Sequence, residues 1–271
     1  MSMQKIETTK IRSVKKESET VGLVKRIEAT KRREINKALK AIDLVNKVEI
    51  AESYKVKKNM KTICLEEGWS RGAWREVPAL ELCNYMGSSP VHSPQTQAKL
   101  LYDQDNIYVH FCVEDQYVRA KADKYQDPVF KDSCVEFFFT PSEDITDGYF
   151  NIEINCCGVI LMCHQLAKGD AEVKISNADL GEIDVYTSLK EKHIPVESID
   201  PMTWTVVYKL PFKMLEKYAK VNRPAKGVVW RANFYKCADE TSFPHWLTWS
   251  KIDKPLPDFH QPIFFGNLEF A

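Results

Sequence analysis

Cys134-Val135-Glu136-Phe137-Phe138-Phe139 and Tyr149-Phe150-Asn151-Ile152-Glu153-Ile154-Asn155 are two short apolar runs, and Pro141 and Gly148 bracket the segment between them. Runs of this length, rich in aromatic and β-branched residues and closed by Pro, Gly, Asn or Asp, read as strands joined by turns. The same texture extends outward to residues 98–102, 107–113, 159–163, 203–210, 228–236 and 264–270. Asp103-Gln104-Asp105-Asn106 supplies a hairpin turn. One short helix is expected over 211–218, with Pro211 at its start. Eight such strands suffice for an all-β sandwich, whose inner faces are buried and whose loops are free to carry function. Strand ends and the long segment 237–262 are therefore the places to look for a site.

Upstream of this region the chain changes character. Residues 1–60 hold 16 Lys/Arg against 8 Asp/Glu, although the whole chain balances 38 basic with 38 acidic side chains. Val21, Val24, Ile27, Ile35, Leu39, Ile42 and Val45 recur at helical spacing, which predicts a helix within 21–48. Its basic face reads as a solvated surface. The sequence thus divides into a basic, largely helical segment, 1–52, and a sandwich domain, 53–271. With 28% charged and 44% hydrophobic residues the composition is that of a globular protein. A net charge of zero supplies no global field for nucleic acid or anionic membrane, and neither is expected as a partner. No apolar run is long enough to span a bilayer, and residues 1–12 lack the apolar stretch of an export signal. A cytoplasmic location is expected for the chain as it stands; one trimmed of a signal would read the same and be secreted. The eight cysteines fit reduced thiols in a chain too large to need disulfides.

The phosphate-binding glycine loop, the dinucleotide fingerprint, the Gly-x-Ser-x-Gly elbow and the His-Glu-x-x-His pair are all missing. Cys156, Cys157, Cys163 and His164 make a zinc set by count alone, but alternate residues of a strand face opposite sides, so packing is the better reading. Glu136, Glu153, Asp239, Glu240 and Asp258 are the carboxylates from which a glycosidase pair could be drawn. Glu136 and Glu153 interrupt apolar strands, where a carboxylate points outward or faces a polar concavity.

The aromatic residues carry more information: 6 Trp, 11 Tyr and 13 Phe are present. Phe243, Trp246, Trp249 and Phe259, with His245 and His260, gather in a segment stiffened by Pro244, Pro255, Pro257 and Pro262. Rigid loops present rings at low entropic cost. Rings for sugar C–H faces, beside side chains that donate to and accept from hydroxyls, are the chemistry of carbohydrate recognition.

Four blocks, Lys131-Asp132-Ser133-Cys134-Val135-Glu136-Phe137-Phe138, Tyr149 to Asn155, Trp230-Arg231-Ala232-Asn233-Phe234-Tyr235-Lys236-Cys237 and Pro257-Asp258-Phe259-His260-Gln261-Pro262-Ile263-Phe264-Phe265-Gly266, resemble the carbohydrate-binding module family 9-like proteins in order and spacing. The resemblance covers about 56–271. It implies a jelly-roll-like β-sandwich holding a sugar, in the characterised module the reducing end of a glycan, between two aromatic rings. The matching positions are Phe130 and Phe259, both Phe where that module has Trp. The resemblance places an acidic hydrogen-bonding residue at Glu136, an amide at Asn233, and Asn151 where the module has arginine. Arg231, Asp258 and His260 lie close enough in sequence to be further ligand contacts. It implies no cofactor beyond a structural calcium ion, for which 103–105 and 143–147 offer oxygen ligands.

The resulting expectation is a non-catalytic protein that binds a mono- or oligosaccharide end and serves polysaccharide breakdown beside a separate glycoside hydrolase. Two alternatives stay open: a glycan hydrolase using Glu136 with Glu153 or Asp258, and an interaction scaffold in which the basic helix docks a partner.

Overall fold

The computed structural model describes residues 52–271; the helix expected within 21–48 lies outside them. Among the described residues there are sixteen strands: β1 (Ser53–Lys58), β2 (Leu80–Glu81), β3 (Asn84–Tyr85), β4 (Gln95–Tyr102), β5 (Asn106–Asp115), β6 (Val118–Ala120), β7 (Cys134–Thr140), β8 (Tyr149–Asn155), β9 (Ile160–Gln165), β10 (Val173–Lys174), β11 (Asp184–Thr187), β12 (Ile194–Ser198), β13 (Met202–Pro211), β14 (Val229–Cys237), β15 (Trp246–Thr248) and β16 (Gly266–Phe270). All eight strands expected from the sequence form, and the expected helix is a single turn, Phe212–Leu215. No helix among the described residues is long and apolar enough to cross a membrane.

Most of these strands form one sheet in the order β10-β9-β8-β7-β14-β16-β1-β4-β5-β13-β11. β1 is the seam: Ser53 to Val56 pair with β16, and Lys57 and Lys58 pair with β4. The sheet is curled about this seam, so the half carrying β7, β8 and β14 packs its inner face on the half carrying β5 and β13. Phe111 of β5 meets Phe234 of β14 across that interior with ring centres 6.0 Å apart. Val135, Phe137 and Phe139, then Phe150, Ile152 and Ile154, then Trp230, Ala232 and Phe234 point inward at alternate positions and are buried in the same core. Stacked rings knit this row, Phe137 on Phe234 at 4.8 Å and Phe139 on Trp230 at 5.4 Å.

Turn chemistry holds the hairpins. Asp103 accepts hydrogen bonds from the backbone N–H groups of Asp105 (2.8 Å) and Asn106 (2.7 Å), closing β4 onto β5 as the sequence predicts. Between β7 and β8, Gly148 adopts φ +87°, and a Cβ there would stand 2.9 Å from the Gln165 carbonyl oxygen, so only glycine fits.

One charged cluster lies inside the core. Lys236 of β14 is fully buried and donates to the Cys237 carbonyl (3.1 Å) and to His245 Nε2 (2.8 Å), while its Nζ sits 3.4 Å from the carboxylate of Asp115 on β5. His245 donates from Nδ1 to the Phe243 carbonyl at 2.9 Å, which leaves Nε2 as the acceptor that Lys236 needs. Burial, with the charge of Lys236 beside it, pushes His245 down to about 3 and keeps it neutral. Burial opposes ionisation of Asp115, but Lys236 and the hydrogen bond to His92 outweigh it and hold the carboxyl below its ordinary value. A carboxyl so depressed contributes stability that is present above its unfolded pKa and is lost as pH falls through its folded one. Lys236→Met would leave Asp115 as an unpaired buried charge, at a cost of about 3–5 kcal/mol. Chemical denaturation at pH 7 should show that loss, and Lys236→Met with Asp115→Leu should recover most of it.

Candidate functional site

The outward row of the same strands builds a second surface. Pleating that sends Phe137 and Ile152 into the core sends Glu136, Phe138, Asn151 and Glu153 to the other side, joined by Leu161, Cys163 and Gln165 from β9 and Cys237 from β14. Loops cover this face. Phe259 stacks on Tyr235 at 4.1 Å with planes 9° apart, and Tyr235 donates its hydroxyl to the Phe259 carbonyl at 3.1 Å. The turn Val129–Lys131 is held against the start of the 237–262 segment by hydrogen bonds from the Asp239 and Glu240 N–H groups to Phe130 and Lys131, both 3.1 Å. Between floor and loops remains a cavity of about 370 Å³, within the range of small-molecule sites.

Its walls are aromatic. Phe130 and Trp246 are half-buried and line it, and Trp246 is fixed by donating Nε1–H to Asp239 at 2.7 Å. Phe259 also lines it but, with one face spent on Tyr235, is only 8% exposed. Pro257, Asp258 and His260 complete the loop side. Asp258 is engaged by Lys168 (2.9 Å) and Gln261 (2.6 Å), which more than offset its burial and hold its carboxyl below the usual range.

The floor is a polar network. Asn151 donates to Glu153 Oε1 (3.0 Å) and accepts from Gln165 (3.0 Å). Burial, with Lys168 nearby, pushes His260 down to about 4, so it is neutral; its Nδ1 faces the Tyr149 hydroxyl (2.9 Å) and the Gln165 amide (3.2 Å), both donors, so its proton belongs on Nε2. Glu153 Oε2 is buried and has no hydrogen-bond partner. Glu136 and Glu153 stand directly opposite each other on β7 and β8. Burial is the main force on both carboxyls, raising Glu153 to about 7 and Glu136, with Cys237 and Glu153 beside it, well above the ordinary value. The pair therefore retains a proton near neutrality.

Six of the sequence-predicted residues, Phe130, Glu136, Asn151, Asp258, Phe259 and His260, line this cavity. Arg231 and Asn233 do not. Arg231 donates to the Phe265 and Gly266 carbonyls, and Asn233 is fully buried, exchanging hydrogen bonds with the Ser250 backbone at 2.8 and 2.9 Å. Asn233 ties β14 to the loop at Ser250, and Arg231 ties it to the start of β16. Trp246, Glu153 and Gln165 were not among the expected ligand contacts; the register that exposes Glu136 also exposes Glu153, and alternation across neighbouring strands is the signal that finds it.

In the two loops named for calcium, the carboxylates of Asp103, Asp144 and Asp147 are engaged in their own turns. Asp103 is saturated by Asp105, Asn106 and Tyr108, and Asp144 and Asp147 cap their own turn through Thr146 and Ser142. Cys156, Cys157, Cys163 and His164 do not converge: Cys156 lies in the core, Cys163 faces the cavity, and His164 packs on the inward Phe150. Among the described residues the group whose ligand atoms do converge, within 4.8 Å, is Cys134, Glu136 and Cys237, where the Cys237 thiol donates to Glu136 at 3.0 Å.

The model of carbohydrate-binding family 9 matches residues 74–270. The chain belongs to carbohydrate-binding family 9. It is 29% identical to a solved Bacteroides uniformis ATCC 8492 protein, described as a candidate carbohydrate-binding protein, over 82% of this chain and 100% of that one, with TM-score 0.72. Two structures of a family 9 module from Caldicellulosiruptor kristjanssonii share the fold at TM-score 0.54: one in complex with glucose (12% identity, 81% of this chain and 96% of that one) and one with cellotriose (14%, 81% and 93%). No curated protein matches. In this family 9 chain the all-β expectation and the family resemblance both hold.

A carboxyl raised by burial is a stability cost above its unfolded pKa that grows until pH passes its folded one. Glu153→Gln removes it, so the variant should be more stable than the native protein by about 2–3 kcal/mol at pH 8, a gain that fades toward pH 5. Denaturant titrations at the two pH values check this.

Proposed function

We propose that this protein is a non-catalytic carbohydrate-binding protein that holds a mono- or oligosaccharide end in the cavity on the outer face of β7, β8 and β9. The observation that carries the reading is Glu153 Oε2, a buried acceptor with no partner in a cavity walled by Phe130 and Trp246. A buried acceptor left unpaired costs stability, and retaining one where a ligand hydroxyl can reach it is the signature of a binding site. The neutral His260 supplies a donor from Nε2, and Trp246 supplies a ring face already fixed by Asp239. Family membership, and neighbours solved with glucose and cellotriose, support the same ligand class.

In the finer reading of the fold, the curled sheet is a jelly-roll-like sandwich with its site on the outer face of one half. Contact residues are Phe130, Glu136, Asn151, Phe259 and His260, with Trp246 and Glu153 added and Asp258 at the edge beside Lys168. Recognition of a reducing end and service to a separate glycoside hydrolase extend this reading.

Geometry argues against the hydrolase alternative. Glycosidase carboxyls flank the scissile bond from two sides of a cleft. Glu136 and Glu153 are cross-strand neighbours on one face of one sheet, and Asp258 is occupied by Lys168.

Calorimetric titration with glucose, cellotriose and borohydride-reduced cellotriose tests the proposal. Binding of glucose or cellotriose that Trp246→Ala weakens by about tenfold or more is expected. Loss on reduction would establish reducing-end recognition. Absence of binding by either sugar at millimolar concentration would overturn the proposal.

A further inference from the structure

The cavity floor holds carboxyls that a neutral sugar leaves without a cation. Glu136 and Glu153 are buried there side by side, and Asp239 on the adjoining wall is held above its usual value, chiefly by burial. The cationic side chains in the lining, Lys168 and Lys174, are exposed, and Lys168 is taken by Asp258 at 2.9 Å. The carboxyl oxygens of the lining are also short of donors. Glu153 Oε2 has no partner, Glu136 Oε1 receives the weak S–H donor of Cys237, and Asp239 accepts from Trp246 alone among side chains.

A sugar hydroxyl brings one donor proton and no charge. A primary ammonium brings three donors and a full positive charge. Ring faces such as those of Phe130 and Trp246 attract cations in addition to stacking on sugar C–H groups. We propose that the cavity is selective for an amino sugar, its ammonium group seated on the Glu136–Glu153 floor and its ring against the aromatic wall. The inference rests on the carbohydrate reading above and narrows its ligand class.

The test is calorimetric titration at pH 6.5, in the presence of EDTA, with glucosamine, N-acetylglucosamine and glucose. EDTA is included because a metal ion held by Cys134, Glu136 and Cys237 would also supply a cation to the floor. Glucosamine should bind about tenfold more tightly than either neutral sugar, and that preference should shrink toward parity in Glu153→Gln and fall in Asp239→Asn. Thermal unfolding of both variants establishes that they are folded. Equal or tighter binding of glucose would overturn the inference and leave the carbohydrate reading standing. A preference that survives both substitutions, or that appears only without EDTA, would overturn it as well. Binding of none of the three sugars would overturn it together with the reading it rests on.

Discussion

Because successive side chains of a strand point to opposite faces, β7, β8 and β14 must satisfy two surfaces with one stretch of backbone. The inward row is a stack of Phe and Trp that fills the interior between the two halves of the sheet. The outward row is Glu136, Phe138, Asn151, Glu153, Tyr235 and Cys237, a mixed surface that solvent would ordinarily cover. A one-residue slip of register would exchange the rows and put two carboxylates among the core rings. The packing that fixes the fold therefore also fixes the floor of the cavity, and the site inherits the rigidity of the core.

The two rows treat charge in opposite ways. Inside, Lys236 and Asp115 are buried but matched, with His92 and His245 satisfying what the ion pair leaves over. Outside, Glu136 and Glu153 are buried and unmatched, and their carboxyls are raised as a result. The first arrangement stabilises the fold once both partners are present. The second destabilises it above the ordinary carboxylate range, which is the behaviour expected of residues kept for a ligand and not for the fold.

Much of the architecture was legible because the strands of the interior are long and rich in aromatic and β-branched residues. Residues 134–139 and 149–155 show it best, their inward rows being Phe, Ile and Val. Short strands such as Leu80–Glu81 and Asn84–Tyr85 carry no periodicity and form only because longer neighbours offer an edge. Six of the expected contact residues line one cavity because the family motifs that suggested them sit on the outward row and its loop. Asn233 shares that row but does not line the cavity: its amide is consumed by Ser250, a partnership between a strand and a distant loop that no local pattern announces. Trp246 stood in the right loop, yet only its pairing beside Cys237 on β15 distinguishes it from Trp249, which turns into the core.

The central claim is that this cavity receives carbohydrate. A crystal structure of the protein grown with saturating cellotriose tests it most directly. The account predicts a sugar ring against Trp246 with a hydroxyl within hydrogen-bond distance of Glu153 Oε2. Sugar bound at another surface, or an empty cavity under conditions where binding is measured in solution, would contradict it.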